Sequence, residues 1–451
     1  MVVLRLGRDS LWDSTVWGWN MHSNIGMPAF RRASARAFAL AALALFVSAA
    51  AQAQETPLTL DAALQSATDR SASMQAAQSS VRASSQTAVS AGLLPDPTLK
   101  AGVDNLPING SQRFTIGQDF MTQRRIGIEQ EWVSPEKRRL RSELANQQVD
   151  RERSGYLAQL VNVRQQTATA WLNAAYAKKA LSLQQELVDH MTHELSATQA
   201  SYRGAKASAG DVTQAQLMLA QTRDQLLKAQ QSLQTALIGL SRWTAAPVSD
   251  VAGEPPAPQS VVQSLPPEEL QRVEPALISA SSEIAVADAD TAVAHSNQSP
   301  NWTWEVSYQK RGGQFSDMVS VGVSIPIPLN KRDRQDRDTA EKAELGTKAR
   351  LMYEDAQRQV DADIRNLSAT LASGRERVSN LTASLLPAAD QRLQLSTAAY
   401  KAGTGSLADT FAAKRGVLDA RLQVLDLQRD ASLTWAQLEY QVVPPSMTLG
   451  Q

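Results

Sequence analysis

The feature that most constrains this chain of 451 residues is an internal duplication. The segment Tyr202–Asp211 (YRGAKASAGD) recurs 198 positions later as Tyr400–Asp409 (YKAGTGSLAD). After each copy, apolar or small residues follow at alternating spacings of four and three, which is typical of helices packed as in a coiled coil. The sequence therefore predicts two copies of one helical unit. The first seam consists of Ala215, Leu219, Thr222, Leu226, Ala229, Leu233, Ala236 and Leu240, and the second of Ala413, Val417, Ala420, Val424, Leu427, Ala431, Thr434 and Leu438.

Each unit is predicted to run helix, strand, strand, very long helix, turn, helix. Ser134 followed by Pro135 marks the start of the first long helix, and Asn330 is the N-cap candidate for the second. At a rise of 1.5 Å per residue, a helix of about 70 residues measures about 105 Å, and two half-length helices laid end to end would match it. The expected divisions are a first repeat over 54–244, a Pro-rich linker over 245–267, a second repeat over 268–443 and a tail over 444–451. Within the repeats, helices are expected at about 60–92, 135–202, 211–244, 331–400 and 409–442.

Between the helices the hydrophobic period changes from 3.5 to 2, which predicts four strands that are apolar on one face and polar on the other. A transmembrane barrel with a wet lumen has this pattern, and so does one face of a soluble sandwich. Four strands cannot close a barrel, so the first interpretation requires several chains to assemble. The strands are expected at about 97–105, 124–133, 301–310 and 318–328, with Trp302, Trp304, Val306, Tyr308, Val321, Val323 and Ile325 facing lipid.

An export signal favours the membrane interpretation. Arg31, Arg32 and Arg36 precede the apolar run 37–50, and Ala51-Gln-Ala53 supplies a cleavage site, so residues 1–53 are expected to be removed, with Met27 as the true start. About 14 apolar residues are too few for a membrane-spanning helix. The chain has no cysteine, which excludes disulfides, thiolate metal sites and an acylated N-terminal Cys. Its 45 basic and 45 acidic residues balance, so nothing indicates a nucleic-acid partner.

The duplicated order and the two Tyr…Gly…Ser…Asp turns resemble the TolC family of outer-membrane efflux proteins, from Leu58 to about Val443. The resemblance implies a mainly α fold with a small transmembrane β part. In this fold a homotrimer forms an α-barrel, the periplasmic tunnel, and a shared 12-stranded β-barrel in the outer membrane of a Gram-negative bacterium. It also implies a periplasmic adaptor (membrane fusion) protein, an inner-membrane pump and outer-membrane lipid as partners.

A second set of motifs is similar to the heavy-metal, CzcC-like branch of that family, whose members work with resistance-nodulation-division pumps. These motifs are Leu94–Pro97 (LPDP), Asp104–Pro107 (DNLP), Met121-Thr122, Ile126-Gly127 and Lys137-Arg138.

The function that follows is that of the outer-membrane channel of a tripartite efflux pump, which conducts solutes passively. Heavy-metal cations such as copper, silver, cobalt, zinc or cadmium are the preferred cargo, and organic toxins or drugs are the alternative. A competing hypothesis of another class is a non-channel coiled-coil scaffold that spans the envelope. A periplasmic hydrolase is a third, but the sequence contains no phosphate loop or nucleophile elbow, so neither catalysis nor a cofactor is expected.

The resemblance implies that the two turns form the periplasmic tip, with Asp211, Tyr400 and Asp409 as gate candidates. Three copies of Asp409 would make an acidic ring that favours cations. Gly405 stands where some members have an arginine that salt-links the gate, and Ala412 where they have a second lumen acid. The remaining turn residues are expected to shape the tip and contact the adaptor: Tyr202, Gly204, Ser208, Gly210, Gly403, Gly405 and Ser406.

The same turn residues also have a purely structural interpretation. Ser208 and Ser406 lie three positions before an aspartate, which is the spacing of a capping box, and the glycines suit tight turns. His190 and His193, three apart on the long helix, are weak candidates for a divalent-metal site, since two helical histidines more often mark a solvated face.

Overall fold

The computed structural model describes residues 57–205 and 207–444. The predicted signal peptide, the proposed start at Met27 and the tail beyond Pro444 lie outside these ranges. The first unit contains α1 (Leu60–Arg70), α2 (Ala72–Ala91), β1 (Thr98–Asp104), β2 (Gln123–Trp132), α3 (Pro135–Arg203) and α4 (Ala209–Thr244). The second contains α5 (Pro267–Val273), α6 (Pro275–Ser296), β3 (Trp302–Lys310), β4 (Met318–Ser324), α7 (Gln335–Lys401) and α8 (Leu407–Glu439).

Two very long helices carry the architecture. Helix α3 has 69 residues and α7 has 67, so each is about 100 Å long. At the start of α3 the Ser134 hydroxyl accepts a hydrogen bond from the backbone N–H of Lys137 at 3.3 Å, as a capping serine does. Helices α2 and α4 pack along α3, and α6 and α8 pack along α7. Within the described ranges, no helix combines the length and the apolar content needed to cross a membrane.

Three element boundaries differ from the sequence prediction. The helix expected over 60–92 is broken at Ser71, whose backbone is extended and whose hydroxyl pairs with that of Ser73 at 2.8 Å; serine favours such local bonds over the helix interior. Asn330 does not cap the second long helix, which begins only at Gln335, after a 3-10 turn over Lys331–Asp333. Strand β4 ends at Ser324, so Ile325 lies beyond it, because the prolines at 326 and 328 have no N–H to donate to a ladder.

The four strands form one antiparallel sheet in the order β1-β2-β3-β4. The central β2–β3 pair joins the two units, with Ile128 opposite Val306 and Trp132 opposite Trp302. Strands β1 and β4 each pair on one side only among the described residues, so both outer edges of the sheet keep unpaired backbone groups.

The largest core cluster lies near the midpoints of the long helices, where the Pro-rich linker crosses them. Trp171 of α3 is 1% exposed, and its indole N–H donates to the carbonyl oxygen of Leu58 at 2.8 Å. Trp435 of α8 donates in the same way to the carbonyl oxygen of Gln259 in the linker at 2.7 Å. Leu58 also forms a parallel β-bridge with Val251, so the linker has a defined path although it has little regular structure.

Glu274 caps α6 beside this core. One carboxylate oxygen accepts a hydrogen bond from the backbone N–H of Ala276 at 3.4 Å, and the other is buried with no hydrogen-bond partner among the described residues. Burial, with a smaller contribution from the nearby Asp363 carboxylate, raises the pKa of Glu274 to about 7.

Candidate functional site

One face of the sheet is apolar and exposed. The register aligns Leu99, Ile128, Val306 and Val321 across the four strands, and their exposed fractions run from 40% for Val306 to 73% for Val321. Alternation puts the predicted Trp302, Trp304, Tyr308 and Val323 on this same apolar face. The Trp132 and Trp302 rings meet there with their centroids 5.9 Å apart. A face of this kind costs free energy in water, so it requires an apolar environment.

The opposite face of the sheet is charged. Lys100 Nζ donates to a carboxylate oxygen of Glu129 and, at 3.2 Å, to one of Glu305. Arg125 Nε lies 3.2 Å from a carboxylate oxygen of Asp104, and Arg125 Nη1 lies 3.5 Å from one of Glu305. These five side chains form one network across β1, β2 and β3, which we call the charged face. Alternation in the sequence predicted polar residues here, but their pairing follows only from the register of the strands.

Close packing of β2 on β3 fixes this arrangement at Gly127. A Cβ at Gly127 would lie 2.6 Å from the Cβ of Ser307 and 2.9 Å from the carbonyl oxygen of Val306, so a side chain there would push the two strands apart. Gly322 of β4 has no such neighbour within 4 Å. Glycine is therefore required at the junction of the two units and optional at the sheet edge.

A buried lysine ties the units together where the sheet meets the helices. Lys137 is 5% exposed, and its ammonium donates to the carbonyl oxygen of Ser299 and, at 2.8 Å, to the side-chain oxygen of Asn301. The Asn301 amide in turn donates to a carboxylate oxygen of Glu131 at 2.7 Å. In the sequence Lys137 belongs to a family motif, and no local pattern signals this network.

The two turns at the far end of the long helices have nearly the same local structure. Ser208 Oγ accepts from the N–H of Asp211 at 3.1 Å while the Asp211 carboxylate accepts from the N–H of Ser208 at 2.8 Å, which is a complete capping box. Ser406 Oγ likewise accepts from the N–H of Asp409 at 3.0 Å and contacts its carboxylate at 2.6 Å. The predicted gate acids Asp211 and Asp409 are thus also helix-capping residues.

The glycines of the turns are not equivalent. Gly403 has φ of 76°, and Ala205, its counterpart in the first turn, has φ of 55°, so this position is left-handed in both copies. A Cβ at Gly405 would lie 2.9 Å from the Cβ of Ala399, which explains why a larger residue is absent. An added Cβ at Gly204 or Gly210 would meet nothing closer than 3.5 Å, so the packing around these two positions leaves room for a side chain.

The two tyrosines that open the repeated motif occupy different environments. Tyr400 packs, half-buried, against a cluster that contains Leu407 and Phe411 of α8 and Val188 and Met191 of α3. Tyr202 is 51% exposed. The duplicated sequence therefore does not give a duplicated environment, because only the second hairpin, α7–α8, offers its tyrosine to the interface between the hairpins.

Close to the tip, an ion pair joins the first hairpin, α3–α4, to the second. Lys414 Nζ of α8 contacts the carboxylate of Glu194 of α3, with side-chain exposures of 27% and 24%. Among the described residues it is the only ion pair between the two hairpins. Nearby, Phe411 is 1% exposed within the cluster that surrounds Tyr400. No local sequence motif signals this contact, so it was not predicted.

The two helical histidines lie on an exposed face of α3. His190 Nε2 is 3.7 Å from a carboxylate oxygen of Glu186, and His193 has no ion-pair partner within the described ranges. No group of three or more His, Cys, Asp or Glu side chains in this part of the chain could hold a metal ion. The structure therefore adds nothing in favour of a bound metal at these positions.

Comparison with known proteins decides the family. A family model described as "Outer membrane efflux protein" matches residues 63–246 and 265–440, and the gap between the two matches covers most of the Pro-rich linker. The chain belongs to the outer membrane efflux protein family. This confirms the resemblance drawn from the duplicated turns, and the family and fold are those of outer-membrane channels.

Individual relatives of this efflux protein support the same family and fold. The cobalt-zinc-cadmium resistance protein CzcC of Cupriavidus metallidurans is 24% identical over 380 residues, which cover 82% of this chain and 86% of CzcC. A membrane protein from Pseudomonas aeruginosa superposes with a TM-score of 0.72 at 15% identity, over 85% of this chain and 89% of that one. The open state of the Neisseria gonorrhoeae MtrE outer membrane channel gives 0.68 at 18% identity, over 85% and 88%. The predicted fold class, a helical tunnel with a small β part, is confirmed.

Proposed function

We propose that three copies of this chain assemble into an outer-membrane efflux duct that conducts solutes passively, without catalysing a reaction. Each copy contributes its four strands to a shared 12-stranded barrel and its helices to a tunnel that continues inward. The observation that carries the proposal is the two-faced sheet with open edges. An exposed apolar face suits lipid, a charged face suits a wet lumen, and unpaired edges in a membrane must be closed by neighbouring copies.

The tip is proposed as the gate. In each protomer the half-buried contact of Tyr400 and the Lys414–Glu194 pair hold the second hairpin against the first, and release of these contacts lets the tip widen. The turns themselves, from Tyr202 to Ser208 and from Gly403 to Ser406, are proposed to contact a periplasmic adaptor, which links the duct to an inner-membrane resistance-nodulation-division pump.

Heavy-metal cations are the proposed cargo. The support is the similarity to CzcC over most of both chains, because the name of that protein ties it to cobalt, zinc and cadmium resistance. Three copies of Asp409 around the lumen would attract such cations through charge alone, without a binding site that retains them. Passive, weak attraction is what conduction requires, since a tightly bound ion blocks a pore.

Conductance of the purified protein in planar bilayers tests the duct. The full chain is expected to run as a trimer in detergent and to form ion-conducting pores. A monomeric, water-soluble and non-conducting product would refute the proposal and favour an envelope scaffold instead.

Cargo and ring are tested separately. A deletion strain is expected to lose resistance to cobalt, zinc or cadmium and to regain it with the intact gene; unchanged metal resistance with new sensitivity to organic toxins would overturn the choice of cargo. Asp409→Asn is expected to reduce the preference for cations over anions in reversal-potential measurements. Asp224→Asn removes the same charge from an exposed position on α4, outside both turns, and is the matched control.

A further inference from the structure

The apolar face of the sheet has two chemically different ends. At the end next to the long helices it carries the indoles of Trp132, Trp302 and Trp304. At the opposite end, next to the loops 105–122 and 311–317, it carries Arg124 and Lys310. Alternation from Ile126 and from Tyr308 puts both cations on the apolar face rather than on the charged face.

Arg124 and Lys310 are direct partners in the β2–β3 register. Opposite residues in an antiparallel pair have Cβ atoms about 5 Å apart, and like charges at that separation destabilise the sheet. Both side chains are exposed, and neither forms an ion pair with any residue of the described ranges. An external anion bound between the two cations would attract both and offset their mutual repulsion.

The acidic residues nearby already have other partners. Asp317 accepts a hydrogen bond from the Tyr308 hydroxyl, and Asp119 accepts one from the N–H of Met121 at 2.7 Å. Asp104 pairs with Arg125 on the charged face. None of these three carboxylates forms an ion pair with Arg124 or Lys310, so neither cation is neutralised by direct pairing at the loop end of the apolar face.

The adjoining loops have the character of a membrane–water interface. The guanidinium carbon of Arg113 lies 5.5 Å from the centre of the Phe114 ring, and that of Arg311 lies 5.6 Å from the centre of the Phe315 ring. Side chains that combine an apolar body with a cationic tip are favoured where hydrocarbon meets headgroups. These loops therefore extend the cationic end of the face.

The spacing along β3 agrees with this placement. From Trp302 to Lys310 the strand advances eight residues, about 26 Å at 3.3 Å per residue. A tilt of about 40° reduces this to about 20 Å across the membrane, close to the apolar band of an outer-membrane barrel. When the indoles lie at one boundary of the hydrocarbon layer, Arg124 and Lys310 reach the headgroups at the other.

We propose that Arg124 and Lys310 bind the phosphate groups of phosphorylated glycolipid headgroups in the outer leaflet. Arginine offers two parallel donors to a phosphate and lysine a compact point charge, so the pair holds one phosphate or two neighbouring ones. The inference rests on the proposed function, since it assumes that the apolar face lies in a membrane with the loops outward. The inference names the class of lipid that the loop end of the apolar face would bind, and it explains why the two cations lie side by side.

The test is a lipid titration of the full-length trimer in neutral detergent, followed by native mass spectrometry. Wild type is expected to bind diphosphorylated lipid A well and dephosphorylated lipid A weakly. The variant Arg124→Gln/Lys310→Gln is expected to lose about 30-fold in affinity for lipid A, as two cations near a lipid surface would give. The control Arg223→Gln/Lys348→Gln removes one Arg and one Lys from exposed positions on the tunnel helices and is expected to bind as wild type.

Three results would overturn the assignment: equal binding by the Arg124/Lys310 variant, equal binding of dephosphorylated lipid A, or competition by inorganic phosphate at concentrations similar to those of the lipid. Planar-bilayer conductance of the same variant separates this inference from the proposed duct. If the Arg124/Lys310 variant conducts normally and still binds lipid A as tightly as wild type, only the proposed headgroup site is refuted. If the wild-type protein does not conduct, the proposed duct function is refuted.

Discussion

Removal of the Lys414–Glu194 ion pair should raise the basal leak of the proposed duct. Both side chains are about one-quarter exposed, so the pair lies between a surface pair, which contributes up to about 1 kcal/mol, and a buried one, whose disruption costs about 3–5 kcal/mol. We take about 2 kcal/mol per protomer for Lys414→Met, which keeps the length of the side chain. That free energy corresponds to a rise of about 30-fold in the fraction of protomers whose hairpins have separated at the tip.

The assay is the basal conductance of single trimers in planar bilayers, in the absence of adaptor and pump. Lys414→Met and Glu194→Gln should each raise the basal open probability, and the double variant should be no worse than the worse single variant, because both remove one interaction. Raising the salt concentration from 0.1 to 1 M should increase the wild-type leak by screening the pair.

Lys228→Met is the matched control, since Lys228 pairs with Asp224 on the same exposed helix at 2.8 Å and joins no second element. Equal conductance in the Lys414 and Lys228 variants would refute the reasoning. So would strictly additive effects in the double variant, because two independent surface charges, and not one contact between the hairpins, would then account for the data.

Two further predictions use matched variants, and a third uses the pH dependence of stability. Phe411→Ala should destabilise the tip by about 3–5 kcal/mol, seen as faster proteolysis of the turns, whereas Leu395→Ala, at an exposed position of α7, should change little. Gly127→Ala should abolish trimers in detergent because its Cβ collides with β3, while Gly322→Ala, which has open space, should assemble normally; assembly of both would contradict the packing argument. Glu274 has a folded pKa of about 7 against an ordinary 4.5, so its burial costs stability as pH rises through that window; Glu274→Gln should be more stable than wild type at pH 8 by up to about 3 kcal/mol and similar at pH 4, measured by thermal unfolding.

Periodicity in the sequence was enough to predict the architecture, because the pattern that a helix or strand requires is carried by neighbouring residues. The seam positions Leu219, Leu240, Val417 and Leu438 are buried in the structure, as the four-three spacing implies. Strand alternation likewise gave both faces of the sheet. Helix ends were harder to predict. No strong helix-stop signal lies near Ser71, and Asn330 is a suitable capping residue whose backbone conformation begins a 3-10 turn instead of the long helix.

The contacts that join the two units could not be predicted, because they depend on how separate elements face one another. Lys414 and Glu194 are 220 residues apart, and each resembles an ordinary charge on the solvated side of an amphipathic helix. Lys137 likewise looks exposed in sequence and is buried only because Ser299 and Asn301 supply oxygen atoms from the other unit. Tyr202 and Tyr400 are identical in type and motif, yet only packing distinguishes them.

The anchoring of the Pro-rich linker has a consequence for how such a segment can change over evolutionary time. The indoles of Trp171 and Trp435 donate to main-chain carbonyl oxygens, which every amino acid possesses. Substitutions along the linker can therefore accumulate without weakening its attachment to the long helices, provided that the number of residues is kept. Insertions or deletions there would shift the carbonyl group of Gln259 away from the indole of Trp435, so the number of residues in the linker, and not side-chain identity, is under constraint.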